Sequence, residues 1–404
     1  MLQKFLAISA YGKLSLLELA SLVDAGIFDF EITNCTSSSV LLEMEEKLAK
    51  GFASRVGGMY KLVRICGESP DDLFGVLPLP DIAKFNWTIS SYGCTLDDLD
   101  DTVFQVRQFL KSNSLGKARF LEPEAGFETD SREGTNREVK ISELARNVLS
   151  ENDARVKGLD VVIHCDFGKK LYGYTEFTSD VLGYERRDFT RSYQDPTTTL
   201  GPRIARVLVN LTGLRKGETL LDPFCGLGTI LQEALMCSLN SVGIDISEAN
   251  VRKCKSNLEW FKKDFRISEK LRSQIVRGDS TRLNASYLPK VHGIATEPLL
   301  LPKFESNPTA SEAEEVLLQV KMEYADSIRA FSRLLQTEQK AALVAPEIVD
   351  DRGRVHTIKV EDLLLNDFSL YNPKLPRVEV ENPSRVPTSK RKIVQRKVYV
   401  MQKL

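Results

Sequence analysis

GETLLDPFCGLGTILQEAL, residues Gly217 to Leu235, reads as a short apolar strand over Thr219 to Leu221, a tight loop from Asp222 to Gly228, and a helix opening at Thr229. A strand, a glycine turn and a helix start bring bare backbone N–H groups and the positive end of a helix to one point, where a polar ligand can sit. Gly226 and Gly228 let that ligand approach the main chain.

The loop narrows the choice of ligand. A dinucleotide fingerprint needs a third glycine where this chain has Leu231, and a carboxylate at the strand end, Asp222, would repel a pyrophosphate. The same carboxylate attracts an ammonium, and S-adenosylmethionine (SAM) carries both an ammonium and a sulfonium. The next strand, Ser241 to Ile246, ends near Asp245, placed to hold two ribose hydroxyls. A third, Gln274 to Arg277, runs into Gly278-Asp279-Ser280, where Asp279 can accept from an adenine amino group.

DPFCGLGT, GIDIS, GDST and a fourth strand ending in Thr296-Glu297-Pro298 together resemble the class I SAM-dependent methyltransferases. More narrowly they resemble the THUMP-domain tRNA guanine-N2 methyltransferases and their DNA-methylase-like relatives. Arg191 to Asn210 (RSYQDPTTTLGPRIARVLVN) is similar to that family's way into the domain, in which an extended Pro/Thr stretch lies over the SAM methionine. The motifs cover residues 190–404; the N-terminal half is similar in length and layout only.

The resemblance implies an α/β fold in which a Rossmann-like, seven-stranded methyltransferase domain, mostly parallel with an antiparallel C-terminal hairpin, occupies 196–404. Before it would come a ferredoxin-like domain (1–65), a THUMP-like RNA-binding domain (66–180) that grips the tRNA acceptor end, and a linker (181–195). SAM would be held by Thr198, Thr199, Leu200, Asp222, Pro223, Cys225, Gly226, Gly228, Thr229, Asp245, Ile246, Asp279 and Ser280. The partners implied are tRNA and, as in some relatives, a small activator subunit, with no membrane and no metal.

The chemistry belongs after the fourth strand. Relatives that methylate exocyclic amines carry Asp or Asn, two prolines and an aromatic residue there. The side-chain oxygen and the first proline carbonyl accept the amine N–H bonds, and the aromatic ring stacks on the base. This chain has Glu297, Pro298, Leu299 and Leu300 at those positions: a carboxylate one methylene longer, one proline kept, and no ring. Phe304, Tyr287 and Trp260 are the aromatic residues that could supply stacking. The reading is a SAM-dependent RNA methyltransferase acting on the exocyclic N2 of a guanosine in tRNA. The alternatives are a catalytically silent SAM- and RNA-binding module, or an enzyme acting on adenine N6 or a protein amine.

Composition agrees with an ordinary globular protein of two or three domains: 404 residues, 42% hydrophobic and 27% charged. No apolar run approaches the roughly 18 residues of a membrane span. The seven cysteines are odd in number and lack a C-x-x-C pair, which argues against zinc and a disulfide framework and for a reducing, cytoplasmic setting. Cys225 is expected to be structural, and His164, His292 and His356 are given no catalytic role. Residues 1–190 carry 22 Lys and Arg against 30 Asp and Glu, and residues 191–404 carry 33 against 26. Phosphate contacts are therefore expected from the C-terminal half, with Arg385 to Lys392 a candidate at the tip of the last hairpin, expected from RVEVE (377–381) and KIVQRKVYVM (392–401).

In the N-terminal half, strands are expected over 4–10, 85–93, 159–167 and 169–177, further elements of unassigned type over 28–35 and 40–46, and helices over 15–25, 47–58, 99–113 and 141–150. Ser112 to Lys140 reads as a surface loop. The acidic run Asp97 to Asp101 reads as a helix start rather than a metal site.

Overall fold

A computed structural model describes residues 1–79, 85–113, 115, 118–121, 158–194, 200–298, 301, 304–376, 378–387 and 393–404. The helix expected over 141–150 and most of the loop expected over 112–140 lie outside these residues.

The first of two sheets contains β1 (Leu2–Ser9), β2 (Phe30–Cys35), β3 (Ser39–Glu45), β4 (Met59–Gly67), β5 (Asn86–Tyr92), β6 (Arg119–Phe120), β7 (Gly158–His164) and β8 (Leu171–Thr178). Their spatial order is β2-β3-β1-β4-β8-β7-β5-β6. With α1 (Lys13–Asp24) and α2 (Glu46–Arg55), the first four antiparallel strands make a ferredoxin-like unit. The sheet continues past it, because β4 pairs antiparallel with β8, Leu62 opposite Phe177. The boundary expected at 65/66 thus falls inside β4, a strand that joins the two N-terminal segments into one sheet. Two further helices follow, α3 (Pro70–Phe74) and α4 (Leu96–Ser112). Thr95 caps α4 in a capping box with Asp98, so the acidic run is the first turn of a helix.

The second sheet begins with β9 (Thr219–Asp222), β10 (Asn240–Asp245), β11 (Ser273–Arg277), β12 (Gly293–Thr296) and β13 (Lys340–Val349), all parallel in the order β11-β10-β9-β12-β13. After β13 come β14 (Val355–Thr357), β15 (Phe368–Leu370), β16 (Ser384–Arg385) and β17 (Val394–Lys403). β17 lies antiparallel to β13, and β15 antiparallel to β17, completing the seven-stranded path; β14 and β16 hang from β13 and β17. Helices α5 (Val181–Phe189), α6 (Pro202–Leu211), α7 (Thr229–Met236), α8 (Glu248–Asp264) and α9 (Ala310–Leu334) alternate with these strands or lead into them. No helix among the described residues is long and apolar enough to cross a membrane.

Three expectations need correction. The strand expected at 377–381 is not one among its described residues: Pro376 and Pro383 flank it, and the Asn382 amide takes the place of strand pairing by donating to Tyr371 O and Val400 O and accepting from Val400 N. The sixth strand of the sheet is Phe368–Leu370 instead. The linker contains a helix, α5, whose Asp180 cap accepts from Gly183 N at 2.9 Å. Cys94 and Cys165 are joined by a disulfide, with Cα atoms 5.1 Å apart. Strand β7 and the start of α4 bring them together across 71 residues of sequence, which spacing arguments do not see.

Helix α1 is buried on every side from Leu14 to Leu22, including Ser15, Glu18 and Ser21. One flank packs on the N-terminal sheet and the other on α6, and both belong to one apolar cluster with Leu17, Phe52, Ile204 and Leu208. Polar groups inside this interface are paired. Glu18 accepts from Gly57 N, Gly58 N and the Asn210 amide; Glu233 on α7 accepts from Arg187 at 2.6 Å and Arg206 at 2.8 Å. The N-terminal sheet is thereby fixed against the helices that carry the glycine loop.

Candidate active site

β9, β10 and β12 are parallel neighbours, so their carboxyl ends open on one side of the sheet. Asp222 ends β9, Asp245 ends β10, and Glu297 follows β12. Strong strand formers and buried apolar residues, Leu220, Leu221, Val242, Ile244 and Ile294, hold these ends in register.

The glycine loop closes as expected from its composition. Gly226 has φ +50° and Gly228 φ +91°, and Gly228 caps α7 with no side chain over the helix start. A Cβ on Gly228 would fall 2.8 Å from the Cys254 sulfur, so glycine is required there twice over. Gly226 N donates to Asp245 Oδ2 at 3.0 Å, and Ser247 N donates to Asp245 Oδ1 at 2.8 Å. Thr229 is buried and accepts from Arg191 at 2.8 Å. Cys225 is buried beside Cys254, whose sulfur and the burial raise its thiol well above the usual range. That is an inert structural cysteine.

Asp222 is 2% exposed, and burial pushes its carboxyl up to about 7. It accepts from Thr296 Oγ1 at 2.7 Å and Phe224 N at 3.2 Å, both neutral, while the charged groups facing it, Asp245 and Glu297, share its sign. A ligand bringing an ammonium and a sulfonium relieves this clustering, and the residues present therefore fit SAM. Asp279 accepts from Thr281 N and Thr281 Oγ1, bonds that hold its carboxyl below the usual range. Ile246, 70% exposed, stands beside Asp245 as an open apolar surface.

Not every expected residue faces the site. The Ser280 hydroxyl turns inward to Ser327 on α9, 3.4 Å away. Leu200 is buried, and Pro298, also buried, directly follows Glu297 after β12; Thr198, Thr199, Leu299 and Leu300 lie outside the described residues. Trp260 packs edge-on against Phe265, and Phe304 packs against the core, both partly buried. Tyr287 is 48% exposed with its hydroxyl on Arg282 O. The histidines have structural partners: His164 with Ser39, His292 with Thr219 N, His356 with Asp350. Among the described residues, no group of three or more His, Cys, Asp or Glu converges as a metal site.

Sequence reasoning missed Thr296, which donates to Asp222; Asn250, whose amide reaches Asp245 at 3.3 Å; and Arg396. The Arg396 guanidinium grips Glu297, with Nε 2.5 Å from Oε1 and Nη2 3.3 Å from Oε2. Nothing near Arg396 in the sequence marks it, because it reaches the site only through the pairing of β17 with β13.

Residues 189–298 match the family described as UPF0020: RMKL-like, methyltransferase domain. Over 155 residues the chain is 32% identical to the tRNA (guanine(10)-N2)-dimethyltransferase of Methanothermobacter thermautotrophicus, a stretch covering 38% of this chain and 42% of that one. Over 147 residues it is 36% identical to the protein of the same name from Pyrococcus abyssi, covering 34% and 40%. The chain spans about two fifths of the length of these curated relatives. Among solved structures, TrmN from Thermus thermophilus aligns over 100% of both chains with a TM-score of 0.51 at 16% identity, a likeness of fold. Residues 189–298 of this chain thus match a methyltransferase-domain family, described as UPF0020: RMKL-like.

Proposed function

We propose that this protein methylates the exocyclic N2 of a guanosine in tRNA, using SAM. The observation that carries the reading is the convergence of Asp222, Asp245 and Glu297-Pro298 at one end of the sheet, inside the matched methyltransferase segment. The similarity of that segment to tRNA (guanine(10)-N2)-dimethyltransferases supports the choice of acceptor.

When bound, SAM supplies a methyl group activated by its sulfonium. Asp245, held open by Gly226 N and Ser247 N, would take the ribose hydroxyls. Asp222 would take the ammonium, Asp279 the adenine amine, and the N–H groups opening α7 the carboxylate. The guanine amine is a poor nucleophile because its lone pair is delocalised into the ring. Glu297 and the Pro298 carbonyl would accept its N–H bonds and return electron density to nitrogen. Orientation then supplies much of the rate. Residues 66–180 would act as a THUMP-like RNA-binding unit, and the rigid interface through α1 and α6 would fix its distance from the site.

Incubation with labelled SAM and unmodified tRNA transcripts tests the reading, with label expected in the RNA fraction. Label in protein would shift the acceptor to a protein amine. SAM binding with no transfer to either would leave a silent module.

A further inference from the structure

We propose that Arg396, contributed by the C-terminal strand, is a positioning residue of this site, locking Glu297 as an ionised hydrogen-bond acceptor for the substrate amine. The inference rests on the methyltransferase reading above. Its geometry stands by itself.

Glu297 differs from the Asp or Asn expected at this position by length and by needing a negative charge in a nearly dry place. Its side chain is 9% exposed and that of Arg396 is 21%. An extra methylene adds a rotatable bond, so a free glutamate would spread over several positions. The guanidinium removes that freedom by engaging both oxygens, at 2.5 and 3.3 Å. A carboxylate has about four lone-pair sites, and the fork occupies two, leaving acceptor capacity on both oxygens.

The arginine is itself held. Arg396 sits opposite Pro346 in the β13–β17 ladder, and its carbonyl accepts from Val386 N at 2.9 Å. The adjoining strand β16 places Arg385 on the buried Glu347 at 2.7 Å, a second arginine–glutamate link between the C-terminal segment and the end of β13. Strand β17 is thereby fixed against the rim on which Glu297 stands.

The groups facing Glu297 are Arg396 from β17, Asp222 from β9 and Tyr324 from α9, whose hydroxyl donates to Val344 O. Burial raises the Glu297 carboxyl and Arg396 opposes that rise. Without the arginine, burial favours a proton on Glu297, and a protonated carboxyl would present an O–H to an amine that is itself a donor.

Two readouts test this on the full-length protein. The first is a carbon-13 titration of side-chain carboxyls in glutamate-labelled protein, with Glu297 identified by the signal lost in Glu297→Gln. Its midpoint should rise by about one pH unit or more in Arg396→Met. The second is tRNA methylation against pH. Arg396→Met should lose about tenfold or more between pH 8 and pH 6 relative to wild type, with SAM affinity kept. Arg396→Lys should keep the wild-type pH profile and lose rate, because a point charge does not fix the carboxylate plane. An unchanged midpoint, or an equal loss at every pH in Arg396→Met, overturns the proposal. If wild type transfers no methyl to RNA, the functional reading fails while the titration still decides whether Arg396 holds Glu297 ionised.

Discussion

Gly226 N donates to Asp245 Oδ2 at 3.0 Å, so the glycine loop after β9 is tied to the carboxylate at the end of β10. One side chain therefore shapes the loop and offers the acceptor that a ribose diol needs. Asp245→Asn keeps the size and loses the charge; Asp245→Ala loses both. Charge-assisted hydrogen bonds contribute about 1.5–3 kcal/mol each, so SAM affinity should fall about 10- to 100-fold in Asp245→Asn and become undetectable in Asp245→Ala. Calorimetric titration measures this, and undiminished binding in Asp245→Ala would refute the cofactor site.

Asp222 carries a pH dependence. Its carboxyl sits at about 7 in the folded protein, above the roughly 3.9 of an unfolded chain. The folded state therefore binds this proton more tightly, and its contribution to stability is present at low pH and lost as pH rises towards 7. A cationic ligand prefers the ionised form. SAM affinity should then rise from about pH 6 to pH 7.5, with a proton released, until the SAM amine itself titrates near pH 8. Calorimetry in buffers of different ionisation enthalpy reads the released proton, and Asp222→Asn should abolish it.

Glu233, fully buried, compensates Arg187 and Arg206, which are 1% and 3% exposed. Glu233→Ala leaves the buried Arg206 without its carboxylate and Arg187 with only the more exposed Asp180, 3.4 Å away, and should cost about 3–5 kcal/mol, seen as a lower denaturant midpoint. Replacing all three by apolar residues of similar volume should recover much of the loss.

The Cys94–Cys165 link closes a loop of 71 residues. In protein purified without reductant, thiol titration after unfolding should count five free cysteines, the five that stand unpaired. Cys94→Ser should destabilise by about 4 kcal/mol on the loop-entropy argument. Seven titratable thiols before reduction would contradict the pairing.

Much of the catalytic half was legible because its information is local. The strand–loop–helix at Gly217 to Leu235 needs its own glycines and apolar residues, and Asp245 and Asp279 stand at the strand ends where the pattern puts them. What was hidden depends on distant partners. β4 reads poorly as a strand because Lys61 and Arg64, three apart beside apolar residues, imitate a helical period; their counterions, Asp160 and Glu176, lie 99 and 112 residues away. α1 reads as amphipathic because Glu18 looks solvent-facing, whereas Gly57, Gly58 and Asn210 satisfy it inside the core. Arg396 follows the same rule: only the register of β17 on β13 reveals it.

The central claim is the atom that receives the methyl group. Wild-type protein incubated with SAM and unmodified tRNA transcripts, followed by digestion to nucleosides and mass spectrometry, should yield N2-methylguanosine and none in Glu297→Ala. N6-methyladenosine as the product, or no methylated nucleoside with SAM binding intact, would contradict the account.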